Sequence, residues 1–334
     1  MFLNNECSQR ERNNYLEKSD GPGCDRNSIQ FIREADYNPA LMSQPPVSSP
    51  QEETVAIVGV GLIGGSLAAA LRQRKAAKWV IGVGRDAARL EAARQTGLID
   101  EGSTDLAEIA RRATLIVFCT PVDKVAEGVR TALAGRSSHS ALATGHLSLL
   151  LTDAGSVKGP ICAELADVPN FLGAHPIAGS HRQGFEAADA RLFEGKLCVL
   201  TPQPTADAND LARLERFWQS VGMRTVKMTP DDHDAALAMT SHLPHVVASA
   251  LAGTLSPENR SLTGTGFRDT TRVAAGDPSL WSGILLNNAA HVIDGLEEMQ
   301  QRLEAFRMAI KLGNADVLKQ LLEEGRVSRE TLDQ

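Results

Sequence analysis

The chain lacks most of what would send a protein out of the cell or onto a polyanion. Its five cysteines, at positions 7, 24, 119, 162 and 198, form no C-x-x-C pair and no even disulfide framework. That excludes a disulfide-stapled secreted scaffold and implies reduced thiols in a cytoplasmic protein. No Lys/Arg-rich block stands out and the formal net charge is −7, which argues against an extended nucleic-acid surface. No apolar run reaches membrane-spanning length. The N-terminus has no signal-peptide core, because Asn4, Asn5, Glu6, Arg10, Glu11 and Arg12 interrupt it. There is no internal repeat.

What the chain does have is size and apolar content. Its 334 residues, 43% of them hydrophobic, can fill more than one core. Residues 1–52 are polar and end in Ser43-Gln-Pro-Pro-Val-Ser-Ser-Pro50, a composition expected to form a disordered leader. Beyond it, strand and helix patterns alternate. Thr54–Gly59 is a β-branched run ending at glycines, and Leu62–Arg74 is rich in Ala and Leu. Trp79–Val83, Ala113–Cys119, Leu149–Asp153, Phe171–Ala174 and Leu197–Leu200 read as further strands. The alternation predicts an α/β, Rossmann-type, doubly wound and mostly parallel sheet over residues 53–203. Residues 204–334 are predicted to be mainly helical, with a helix at Asp207–Val221 and a last strand at Thr225–Met228. Helical spacing then runs through Asp277–Phe306 and on through Met308–Leu322. Helices too elongated to cover their own apolar faces imply a second copy, so a homodimer is expected.

The first chemical signal is Gly59-Val-Gly61-Leu62-Ile63-Gly64-Gly-Ser66, placed between a strand and a helix. Gly59 and Gly61 allow a tight turn and close approach to a pyrophosphate, Gly64 allows close helix–strand packing, and the helix N-terminus faces the phosphates. An NAD site usually has an acid at the end of its second strand. Here Gly84 stands there, followed by Arg85, which could face a 2′-phosphate, so NADP is favoured over NAD. Asp86 remains an alternative acid or the cap of the next helix. Thr120-Pro121 ends the strand expected beside a nicotinamide.

Three further blocks supply reactive groups. Asp153-Ala-Gly-Ser156-Val-Lys158 ends a strand, with the Ser156 hydroxyl at the sheet rim or capping a helix. His175-Pro-Ile-Ala-Gly-Ser180-His181 follows another strand, and a neutral imidazole there can accept a hydroxyl proton while hydride leaves the same carbon. His242 and His245 would share a helix face. No third ligand at suitable spacing makes them a metal site, so substrate hydrogen bonding is the expected role. Arg268, Asp269 and Arg272 follow two glycines, suiting a guanidinium held against a carboxylate or an interdomain ion pair.

With these residues assembled, the chain resembles the prephenate/arogenate (cyclohexadienyl) dehydrogenase family of tyrosine biosynthesis. The resemblance runs from about Val55 to about Asn288 and is carried by GVGLIGGS, DAGSVK, HPIAGS, SHLPH and GFRDTTR-VA, with Asp277-Pro-Ser-Leu-Trp281 following. It implies a Rossmann domain, a helical dimerisation domain and oxidative decarboxylation of a cyclohexadienyl substrate. It also implies His175 as the group on the C4 hydroxyl and Ser156 as orienting it and the nicotinamide. Arg272 would bind a substrate carboxylate, with His245 and His242 lining the pocket and Ser180 and His181 at its rim. Many members carry an acid where His181 stands; a non-acidic residue there goes with prephenate rather than arogenate. Two other classes compete. A β-hydroxyacid dehydrogenase would rely on a lysine from the helical region, and a dinucleotide-sensing protein would leave His175, Ser156 and Arg272 without a joint purpose.

Overall fold

The computed structural model describes residues 50–137, 148–179 and 182–333. The leader up to residue 49, most of the loop expected at 139–148, and Ser180 and His181 lie outside the described residues.

Each strand of the sheet's centre is apolar on both faces, as a sheet covered on two sides requires. In β1 (Thr54–Val58), Val55 and Ile57 join one core while Ala56 joins the opposite one with Val58. There follow α1 (Leu62–Arg74), β2 (Trp79–Val83), α2 (Ala87–Gln95), β3 (Glu101–Ser103), α3 (Leu106–Ala110), β4 (Leu115–Phe118), α4 (Val125–Ser137), β5 (Leu150–Asp153), α5 (Gly159–Glu164), β6 (Phe171–Pro176), β7 (Leu197–Thr201), α6 (Ala208–Ser220) and β8 (Arg224–Lys227). The eight strands lie in the order β3-β2-β1-β4-β5-β6-β7-β8. All neighbours are parallel except β6 and β7. The chain leaves β1 in one direction and β4 in the other, so their C-terminal ends flank the crevice where ligands of such sheets bind.

The sheet domain extends past the boundary expected at residue 203. Leu214, Phe217 and Trp218 of α6 are buried in the core beneath α1, and β8 pairs with β7. An ion pair fixes α6 further: Arg213 Nε and Nη2 reach the Glu53 carboxylate at 2.6 and 2.7 Å. The guanidinium also donates to the carbonyls of Ser148 and Thr114 at 2.7 and 2.8 Å. Every donor of a buried guanidinium that meets a carboxylate or carbonyl offsets part of its desolvation, so this cluster staples α6 under β1 and β4. The helix expected at Asp207–Val221 is present as α6, but its buried face belongs to the sheet domain.

The remainder is helical: α7 (Pro230–Leu237), a π-turn at Ala238–His242, α8 (Leu243–Gly253), α9 (Thr265–Thr271), α10 (Pro278–Asn287), α11 (Ala289–Lys311) and α12 (Ala315–Glu330). The helix expected over Asp277–Phe306 is two, separated at Asn288. The continuation expected through Met308–Leu322 is broken where Gly313 takes φ +63° and Asn314 caps α12. Apolar spacing persists across both breaks, which is why periodicity alone joins them. The helical run Pro230–Gly253, at 24 residues and mean hydropathy 1.2, has the length and composition of a membrane span, contrary to the sequence reading. Its His233, Asp234 and His242 hydrogen-bond to other parts of the protein, as a helix packed within a protein requires.

Candidate active site

The turn from β1 into α1 is shaped by its glycines. Gly59 has φ +95°, and a Cβ there would lie 2.8 Å from the Cys119 carbonyl oxygen. A Cβ on Gly64 would meet the Gly59 carbonyl at 2.2 Å, so helix and strand touch only because both side chains are absent. Gly61, the N-cap of α1, differs: apart from its chain neighbours, no atom of the described residues lies within 4 Å of the Cβ it lacks. That open space lies over helix N–H groups with no side-chain cap, and Leu62 and Ile63 border it half-buried. Across the crevice, Thr120 Oγ1 is buried without a partner among the described residues, while Pro121 is exposed. An orphaned hydroxyl opposite an uncapped helix N-terminus and an empty glycine fits a dinucleotide's pyrophosphate and nicotinamide.

At the adenosine end, Asp86 is committed as the N-cap of α2, accepting from Ala88 N and Arg89 N at 3.0 and 3.1 Å. Arg85 is exposed. Asp86 is thus the cap of α2, with Oδ1 taking both N–H groups.

Parallel pairing carries the loop after β5 alongside the end of β6. Asp153 is fully buried: its Oδ1 accepts from Ala174 N at 3.1 Å and its Oδ2 from Gly155 N at 2.9 Å. Lys158, also fully buried, closes an ion pair with Asp153 and donates from Nζ to the Ala174 carbonyl at 2.9 Å. The Ser156 loop and the His175 strand are thereby tied together. Ser156 is half-buried and is not a helix cap; α5 begins at Gly159 after Lys158.

His175, buried in β6 just before Pro176, points Nδ1 at Nε2 of His233, 2.8 Å away. His233 Nδ1 lies 2.7 Å from Asp234 Oδ1. Asp234 in turn accepts from the backbone N–H groups of Lys158 and Gly159 at 2.8 and 2.7 Å. Neither His233 nor Asp234 was singled out from sequence, since a His-Asp pair among acidic residues reads as a solvated helix start. Burial holds His175 well below the ordinary histidine value, with the neighbouring His233 and Lys158 acting the same way, so the ring is neutral. Burial lowers His233 as well, against the pull of Asp234. Burial pushes Asp234 up, but the hydrogen bonds from His233, Lys158 and Gly159 leave it below the usual carboxylate range.

The π-turn sets the register of the rest. Asp234 and His242, eight residues apart, would sit about 80° apart on a regular helix; the extra residue of a π-turn brings them to within about 20°. Asn288 joins them, its Nδ2 donating to the Asp234 carbonyl at 2.7 Å and to His242 Nδ1 at 3.0 Å. His242 therefore accepts at Nδ1 and carries its proton on Nε2. One turn on, His245 stacks on Trp281 of α10 with centroids 3.6 Å apart and an interplanar angle of 13°, and its Nδ1 is buried without a partner among the described residues. Gly276 makes room: a Cβ there would lie 2.9 Å from His245 Cε1. Arg272, in the 3-10 turn that packs on α8, is exposed, and neither it nor Arg268 forms an ion pair among the described residues. α10 packs against Val122–Lys124, just past Thr120-Pro121, so the helical domain closes over the crevice. Among the described residues no three His, Cys, Asp or Glu side chains converge as a metal site would require.

Burial pulls His242 down to about 4. Because the unfolded chain then binds more protons between about 4 and 6.5, stability is full above pH 6.5 and falls as pH drops toward 4. The shift corresponds to about 3 kcal/mol at most. His242→Gln is expected to flatten the slope of denaturation midpoint against pH in that window; an unchanged slope would show that His242 does not contribute.

Fold and site together define a dehydrogenase: a dinucleotide-binding sheet domain with a neutral imidazole at its strand ends, covered by a helical domain. The family model for the prephenate dehydrogenase nucleotide-binding domain matches residues 67–227, and that for the prephenate dehydrogenase dimerization domain matches 229–324. The first match begins just past the glycine turn, so the turn's assignment stands on geometry. A cyclohexadienyl dehydrogenase of Zymomonas mobilis is 33% identical over 82% of this chain and 94% of its own. The crystal structure of Aquifex aeolicus prephenate dehydrogenase in complex with hydroxyphenyl propionate and NAD+ superposes with a TM-score of 0.76, at 32% identity over 84% of this chain and 98% of that one. Synechocystis arogenate dehydrogenase gives a TM-score of 0.70, at 32% identity, over 84% and 99%. The chain belongs to the prephenate dehydrogenase family. The two domains meet between residues 227 and 229 in these matches, in agreement with the sheet's end at Lys227.

Proposed function

We propose that the protein oxidatively decarboxylates prephenate to 4-hydroxyphenylpyruvate, with NADP+ as the preferred acceptor, and works as a homodimer. The observation that carries this reading is a buried, neutral His175 at the strand ends beside the Gly59–Thr120 crevice. His175 takes the proton of the C4 hydroxyl as hydride leaves C4, giving a carbonyl conjugated to the quaternary C1. The C1–carboxylate bond then breaks, CO2 departs, and its electron pair makes the ring aromatic as the C4 oxygen regains a proton. A nicotinamide dinucleotide held by Gly59, Gly61, Gly64, Thr120 and Pro121 supplies the hydride acceptor. Ser156 orients the reacting hydroxyl, and Arg272 holds a substrate carboxylate. His245, with its unpartnered Nδ1, and His242, presenting Nε2–H, hydrogen-bond the rest of the substrate. His181, non-acidic where many family members carry an acid, supports prephenate over arogenate, and Ser180 of the same block is assigned to substrate binding.

The cofactor preference rests on Gly84, the committed Asp86 and the exposed Arg85. The homodimer rests on the family's dimerization domain and on exposed Leu286, Ile293, Leu303, Ile310 and Leu322 along the last three helices.

Purified protein mixed with prephenate or arogenate, each with NAD+ or NADP+, tests the reading through the absorbance of the reduced nicotinamide. Prephenate with NADP+ is expected to turn over fastest. Silence in all four mixtures, from folded protein that still binds cofactor, would replace it with a dinucleotide sensor.

A further inference from the structure

We infer that His233 and Asp234, both supplied by the helical domain, are positioning residues that fix the ring proton of His175 on Nδ1 and leave Nε2 as its proton-accepting atom. This deepens the proposed function and rests on its assignment of His175 as the base.

The argument is one of donors and acceptors taken in turn. Asp234 can only accept: its two oxygens already face the Lys158 and Gly159 N–H groups. His233 Nδ1, 2.7 Å from Oδ1, must therefore donate. A neutral imidazole that donates from Nδ1 has a lone pair on Nε2. His175 Nδ1 lies 2.8 Å from that lone pair and must carry a hydrogen. The remaining nitrogen of His175, Nε2, has no partner among the described residues and is the one free to take a substrate proton.

Three features show that the chain is built rather than incidental. His233 is fully buried, so its ring has no water with which to exchange partners. Asp234 is anchored by two backbone donors on the loop that also carries Ser156, which locks the acceptor end to the sheet domain. Asn288 donates to the Asp234 carbonyl and holds that turn of helix from its far side. The relay crosses from α7 to the strand ends, so the base has a defined tautomer only while the helical domain is docked on the sheet. His233 also gives the imidazolium formed at His175 an acceptor, and beyond it a carboxylate, without a second proton having to move.

The test uses full-length protein labelled with 15N-histidine, the His175 resonances being identified by their loss in His175→Asn. Ring 15N shifts of the free protein are expected to show His175 protonated on Nδ1 and not on Nε2. In Asp234→Asn the His175 signals should move toward a mixture of tautomers. In the same variant kcat should fall about 100-fold, with the KM for prephenate within about threefold of the parent. His233→Gln, whose side-chain oxygen can still accept from His175 Nδ1–H, should keep the tautomer and lose only about tenfold in kcat, whereas His233→Leu should lose about 100-fold.

A parent protein with the proton on Nε2 would overturn the inference whether or not the Asp234 and His233 variants fold. So would Asp234→Asn protein that lowers kcat and raises KM together with the tautomer unchanged, since that is the mark of a merely structural residue. Failure of the proposed function is separate: it would be read as absent turnover in the parent, while the 15N shifts still report the relay.

Discussion

Replacing His175 with asparagine is expected to lower kcat about 10³–10⁴-fold while leaving the KM for prephenate and cofactor binding within a few-fold of the parent. The asparagine amide can occupy the Nδ1 position and still donate toward His233 Nε2, which His175 Nδ1 approaches at 2.8 Å, so the packing of α7 on the strand ends survives. What disappears is the second nitrogen. Two neighbouring groups are unsuited to replace it. Lys158 is spent on Asp153 and the Ala174 carbonyl, and His242 offers a hydrogen from Nε2 rather than a lone pair. The measurement is steady-state kinetics beside a cofactor titration by fluorescence. A loss of less than about tenfold would mean that His175 is not the base, and the strand-end reading would have to give way to another group. Loss of cofactor binding as well would make the residue structural.

The sheet was legible because its strands obey one simple rule. A run such as Thr54–Val58, apolar on both faces and ending at glycines, has no stable place except the centre of a covered sheet. The short β3 escaped because Glu101-Gly102-Ser103 carries no β-branched or apolar signal; it pairs with β2 through backbone alone, and Gly102 is needed where a Cβ would lie 2.8 Å from Leu90 Cβ. The end of the sheet domain escaped for a different reason. α6 is amphipathic like any surface helix, and only tertiary partners such as Glu53, 160 residues away in sequence, decide which core it covers. The site divides along the same line. Glycines, His175 and Arg272 announce themselves through motifs that have local causes. His233, Asp234 and Asn288 do not, since their roles exist only where α7 and α11 meet the β5–β6 loops, and the π-turn that aligns Asp234 with His242 leaves no trace in periodicity.

That division bears on cofactor choice, where sequence and structure combine. The parent is expected to use NADP+ over NAD+ by about 10–100-fold in kcat/KM, and the double variant Gly84→Asp, Arg85→Ala should reverse the preference, for a total swing of about 10³-fold or more. An Arg–phosphate contact and a carboxylate–ribose hydrogen bond are each charge-assisted, worth about 1.5–3 kcal/mol, or about 10–100-fold. Removing one and adding the other acts on both cofactors in opposite directions. The backbone permits the change. A Cβ on Gly84 would meet only Leu90 side-chain atoms at 3.7–3.9 Å, ordinary contact, and the residue is not among those with positive φ. Asp86 is held at the start of α2, where its Oδ1 accepts from both Ala88 N and Arg89 N, so the new carboxylate at position 84 leaves that cap in place. The single variants separate the two effects. Arg85→Ala should weaken NADP+ without improving NAD+, while Gly84→Asp should repel the 2′-phosphate and gain the ribose hydroxyl. A parent that prefers NAD+, or a double variant that leaves the ratio within threefold, would remove Arg85 from the cofactor site and leave its exposure without a purpose.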